Sequence, residues 1–181
     1  MADFLSTQMR IRRVVIDAVF IALFVLFSAV LTVKTPFAEI SLASLPILLC
    51  AYLFGPADAL IVAALGSFME QVFSLYGLSV TTPLWMAPVI LQAAVASLGF
   101  WVVRRVGKPW IVIVVLVIAE LVLTFANTAA LYLDGYIFSY AVKALHLLLP
   151  TRLLNGGVRL ALSCVLFPLL LCPLRAVAQK K

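Results

Sequence analysis

Three charged residues, Glu70, Glu120 and Arg159, stand inside apolar runs long enough to cross a lipid bilayer. An ionised side chain in hydrocarbon costs at least about 2.5 kcal/mol on insertion scales, so such residues face a cavity or one another. Two readings follow: an interior ion pair or hydrogen-bonded cluster that fixes helix packing, or a set of groups lining a solute site. Intramembrane acids also support proton coupling, which keeps an ion-coupled carrier among the candidates. Asp17 follows Arg13 by four residues, on the same helical face, and the expectation there is a local pair near the membrane interface.

Amides recur in different apolar runs at similar depth: Gln71, Gln92, Asn127 and Asn155. An amide offers both donors and an acceptor, which suits a heterocycle carrying both, and it equally joins helices to one another. Trp85, Tyr76, Phe37, Tyr132 and Tyr136 fall near one set of span ends, where aromatics form interface belts; stacking on a planar ligand is the alternative. GxSxG, HExxH and Gly-rich phosphate-loop patterns are absent, so the sequence offers no catalytic or ATP-using machinery. His146 is the single histidine, and a surface position is expected for it. Cys50, Cys164 and Cys172 lie in apolar runs with no CxxC, which points to neither a disulfide framework nor a zinc site.

The elements that carry these residues are set by hydropathy. Apolar residues make up 66% of the 181 and charged ones 11%, against roughly 45–50% apolar in soluble domains. With about 20 residues needed per crossing, the chain accommodates about six helices with short loops and no soluble domain. The expected fold class is therefore all-α, a polytopic membrane protein with a single integral membrane domain over 1–181. Its spans are expected at 12–33, 42–54, 56–75, 83–105, 109–133 and 150–172. Arg10, Arg12 and Arg13 before apolar residues 14–33 resemble a secretion signal, but the run is too long and reads as the first span. The second span, with some 13 residues, is short for a full crossing, and an inward-folding loop over 34–41 is expected to meet it. Gly55-Pro56 stops one helix and starts the next, Asp134-Gly135 signals a turn, and residues 136–149 read as an interfacial helix or capping loop before Pro150.

The net charge of +6 would suggest nucleic acid in a soluble protein, but here it reports orientation, and no nucleic-acid partner is expected. Nine basic residues (Arg10, Arg12, Arg13, Arg104, Arg105, Lys108, Arg175, Lys180 and Lys181) fall on one side and three (Lys34, Lys143 and Arg152) on the other. That puts both termini in the cytoplasm and gathers the loops at 34–41, 76–82 and 134–149 on the outer face, where they could close over one pocket. Ala18 and Ala22 form a small-xxx-small pattern that permits close approach of another helix, within the chain or from a partner.

The order of these features resembles the substrate-binding S component of an energy-coupling factor (ECF) vitamin transporter. The resemblance spans nearly the whole chain. It rests on the AxxxA of Ala18 and Ala22, on Thr35-Pro36 followed by Ile40-Ser41 and Leu45-Pro46, and on Tyr52-Leu53-Phe54-Gly55-Pro56. Leu149-Pro150-Thr151-Arg152-Leu153-Leu154-Asn155 completes it, and with the Phe-Gly-Pro turn looks most like the folate-type subfamily. The resemblance implies a six-helix, multi-pass protein of the prokaryotic plasma membrane that captures a vitamin beneath the outer loops. A transmembrane coupling protein and two cytoplasmic ATPase subunits would supply the energy, with no cofactor in this chain. Ala18 and Ala22 match the family's contact with the coupling protein. For an anionic folate, Arg152, Lys143 and Lys34 would attract the carboxylates, while Asn155, Gln92, Trp85 and Phe37 would hold the pterin. The alternatives are a stand-alone ion-coupled small-solute transporter, whose uptake would persist without an ATPase, and a purely structural membrane partner. An intramembrane enzyme ranks last, because no nucleophile or metal cluster accompanies the acids.

Overall fold

The computed structural model describes residues 2–35, 38–74, 77–138 and 142–179. Six helices and one short hairpin follow in the order α1 (Ala2–Val30), β1 (Thr32–Thr35), β2 (Ala38–Ser41), α2 (Ser44–Leu53), α3 (Pro56–Phe73), α4 (Thr82–Val106), α5 (Trp110–Ile137) and α6 (Val142–Gln179). Five helices carry stretches long and apolar enough to cross a membrane: Arg10–Val30, Pro56–Phe73, Thr82–Val106, Trp110–Ile137 and Leu149–Leu171. The sixth, α2, has ten residues and extends only about 15 Å.

That short helix is the hub. Eight of its ten residues, Ser44 to Ala51, are buried, and it packs against α1, α3, α4 and α6. The others follow the sequence α1, α3, α4, α5, α6 as neighbouring pairs around it. Leu45, Ile47 and Leu48 meet the same core as Phe24, Phe100 and Phe167. At the far end of α2, Tyr52 lies edge-on to Phe100 at 5.2 Å and to Phe167 at 5.8 Å, while Phe100 and Phe167 stack at 5.7 Å. Outward faces are equally apolar, as Phe125, Val165 and Leu98 show at 60–67% exposure. Lipid does not separate apolar from apolar, so tight packing and polar links decide which face turns inward.

Local sequence explains the turns. Gly55 adopts a φ of +106° that a side chain would disfavour, and Pro56 then supplies a preset first residue for α3. Gly107, at φ +70°, caps α4, its N–H donating to the Val103 carbonyl at 2.9 Å. The loop expected over 34–41 belongs to an antiparallel hairpin that begins earlier, with Thr32 opposite Ser41 and Lys34 opposite Glu39, and β2 lies against α6.

The last third of the chain departs from expectation. Asp134-Gly135 does not turn the chain: α5 continues to Ile137. In place of a separate segment over 136–149 and a start at Pro150, α6 begins at Val142 and runs through Pro150, Pro168 and Pro173. An internal proline removes one backbone bond and strains the helix by about 3 kcal/mol, but neighbouring helices and side chains in membrane proteins re-satisfy the freed groups. Proline position therefore marked local stress, and hydropathy and packing overrode it.

Candidate functional site

The intramembrane charges come together in one buried network. Glu120, halfway along α5, is 1% exposed. Its Oε2 accepts from Arg159 Nε on α6 at 2.7 Å, and its Oε1 accepts from Ser44 Oγ on α2 at 2.7 Å and Ser163 Oγ on α6 at 3.1 Å. Arg159 Nη2 donates to Thr124 Oγ1 at 3.0 Å, and Thr124 in turn donates to the Glu120 carbonyl at 2.9 Å. Every buried oxygen of the carboxylate is thereby satisfied by an element from another part of the chain, which is the packing-cluster reading of these charges. Ser44, Thr124 and Ser163 were not singled out from sequence. Their signal, hydroxyls in apolar runs, is common to many membrane helices.

Glu70 has a different partner. Ser28 Oγ on α1 donates to its Oε1, and Thr32 Oγ1 donates to the Ser28 carbonyl at 2.5 Å, so the hairpin's root is tied to α3 through α1. At the opposite end Arg13 does not choose its neighbour Asp17. Its Nε and Nη2 grip Asp58 Oδ1 and Oδ2 at 2.7 and 2.9 Å, a forked pairing across 45 residues that matches guanidinium and carboxylate geometry. Asp17 is 8% exposed, with Oδ1 unbonded to protein. Asp58 occupies the first turn of α3, where a carboxylate also meets the helix's positive end.

Of the expected ligand residues, the side chains of Arg152, Asn155, Trp85 and Gln92 are described. Arg152 lies half-buried about ten residues into α6, its Nη1 3.3 Å from the Asn127 carbonyl of α5. Asn155 is half-buried one turn further along. Trp85 is half-buried in the first turn of α4. Gln92 is fully enclosed, and neither of its amide atoms is hydrogen-bonded to the protein. Phe37 lies outside the described residues, as does the side chain of Lys143, whose backbone forms the first turn of α6. Arg152 and Asn127 are thus joined across two helices; no such link joins Gln92, Trp85 and Asn155 among the described residues. The described residues also contain no group of three or more His, Cys, Asp or Glu arranged to hold a metal.

An open surface groove runs along α6 from Pro150 past Leu154 to Ala161. A cavity of about 530 Å³ sits at the end bearing the α4–α5 turn, between α2, α4, α5 and α6. Along α1, Val14, Ala18, Ala22 and Leu26 recur every four residues on an exposed face, so the small pair is not used for packing inside the described chain.

Comparison with known proteins adds the following. A family model described as "ECF transporter, substrate-specific component" matches residues 12–171. The fold is similar to a solved S component of a bacterial ECF transporter, with a TM-score of 0.66 over 91% of this chain and 98% of that one, at 19% identity. No curated protein matches the sequence.

Proposed function

The chain belongs to the substrate-specific component family of ECF transporters, and from that premise we propose that it is the high-affinity binding subunit of an ATP-driven vitamin importer whose cargo is of the folate type. It is an integral membrane protein, a transporter component rather than an enzyme, and its partners are the substrate and the ECF energising module. In the proposed arrangement both termini face the cytoplasm of a prokaryotic cell, since nine basic residues gather at the ends that alternation places together. The hairpin end then opens outward. A transmembrane coupling protein and two cytoplasmic ATPases drive release, and the coupling protein docks on the exposed Ala18–Ala22 face of α1, where small side chains allow close helix approach.

The observation that supports an anionic cargo is Arg152, a guanidinium held across α5 and α6 by the Asn127 carbonyl at the end where basic residues are scarce. Asn155, Gln92, Trp85, Phe37 and Lys143 complete the proposed site, with amides matching a heterocycle's donors and acceptors and aromatics its faces. A stand-alone ion-coupled carrier would ask an intramembrane acid to exchange protons with solvent. Of the two acids that could do so, Glu120 is enclosed and locked to Arg159 at 2.7 Å, and Glu70, half-buried, accepts from Ser28 on α1.

Tryptophan fluorescence of the purified protein, titrated with folate, pantothenate, pyridoxine, thiamine, riboflavin and biotin, tests the reading. Saturable quenching by folate, weakened at least about tenfold in Arg152→Ala, is the expected result, a change worth about 1.4 kcal/mol. Tight binding of a different vitamin would replace the cargo, and unchanged folate affinity in Arg152→Ala would remove that residue from the site.

A further inference from the structure

The cavity beside the α4–α5 turn is separate from the proposed vitamin site, at the other end of the helices, and its chemistry is distinct. Its wall is largely apolar: Val103, Leu116 and Phe167 are buried side chains that line it from α4, α5 and α6, joined by Tyr52 of α2. Leu116 stands six residues into α5, about 9 Å along the helix from its first residue. At about 530 Å³ it falls within the roughly 300–1,000 Å³ of small-molecule sites.

Its mouth carries charge of one sign. Arg104 and Lys108 line it; among the described residues no aspartate or glutamate does, and neither cation has an ion-pair partner. Neighbouring Arg105 is employed differently: its guanidinium lies over the Trp101 ring, 4.0 Å from the centroid, on the outer surface of α4. The amino end of α5, with its partial positive charge, borders the same opening. Orientation alone accounts for basic residues at this end of the protein. It does not account for a recess beneath two of them.

We propose that this recess is a site for an anionic membrane lipid, with an acyl chain in the apolar wall between α4, α5 and α6 and the phosphate headgroup held by Arg104 and Lys108. A free phosphate would use only the mouth and leave the apolar depth unfilled. A zwitterionic lipid would bring its own cation to the mouth and forgo the charge match. In the proposed orientation the site faces the cytoplasmic leaflet, where basic pockets between helices meet anionic headgroups.

Cys164 lines the cavity and is half-buried, which makes it a built-in reporter. The full-length chain in detergent is treated with N-ethylmaleimide in the presence of phosphatidylglycerol, phosphatidylcholine or glycerol phosphate, and modification at Cys164 is read by peptide mass. Phosphatidylglycerol is expected to protect Cys164 at a concentration at least about tenfold lower than phosphatidylcholine. Arg104→Gln with Lys108→Gln should abolish that preference, whereas Arg105→Gln should retain it. These positions are exposed, so the fold tolerates the changes. Equal protection by the two lipids, equal loss of preference in Arg105→Gln, or protection by glycerol phosphate alone at the same concentration would each overturn the proposal.

Discussion

Arg159 Nε on α6 lies 2.7 Å from Glu120 Oε2 on α5, and Ser44 of the central short helix binds the other oxygen of the same carboxylate at 2.7 Å. One buried acid therefore fastens three helices that sequence separates by up to 115 positions (Ser44 to Arg159). Removing one member of such a pair strands the other charge, at a cost of about 3–5 kcal/mol. Glu120→Gln and Arg159→Gln are each expected to lower thermal stability in detergent sharply. The double variant should recover most of the loss, because a neutral pair leaves no unpaired ion. Additive losses in that cycle would mean that the two residues act independently.

Gly156 and Gly157 are adjacent but not equivalent. A Cβ on Gly156 would lie 2.7 Å from Thr124 Oγ1, the hydroxyl that accepts from Arg159, whereas one on Gly157 would meet nothing within 4 Å. Gly156→Ala should therefore destabilise by about 1–3 kcal/mol through overpacking against α5. Gly157→Ala should be neutral or stabilising by up to about 1 kcal/mol from helix propensity. Comparing the two unfolding midpoints checks the α5–α6 packing directly.

Arg13 is mostly exposed, with Asp58 buried beneath it. Arg13→Gln should lower the melting temperature less than Arg159→Gln does, because water still reaches the guanidinium's site and the α3 amino end still favours the carboxylate. Arg13→Lys, which keeps the charge but loses the fork, should fall between wild type and Arg13→Gln. A melting series of the three proteins reads this order.

The α1 face predicts a separation of functions. Ala18→Leu with Ala22→Leu leaves the described packing untouched, since both positions are exposed. Vitamin binding by the isolated chain should stay within about twofold of wild type, while co-purification with the coupling module and uptake in cells are lost. Retained assembly would place the partner on another face.

Hydropathy was sufficient to establish the membrane-helix class, because lipid penalises polar groups so steeply that one-dimensional patterns carry the result, whereas whether the intramembrane ions pair or line a site stayed open. The Gly55-Pro56 restart was equally legible, as only backbone conformation is at stake there. Choice of partner was not. Arg13 was expected to take Asp17, four residues away, and took Asp58 instead, since the crossing of α1 and α3 puts a forked geometry within reach that a single helix does not. The central place of α2, the continuity of α6 through Pro150 and the recess under Arg104 and Lys108 likewise arise where several helices converge. Each depends on shape between elements, which hydropathy along one strand of sequence does not encode, and tertiary packing alone decided it.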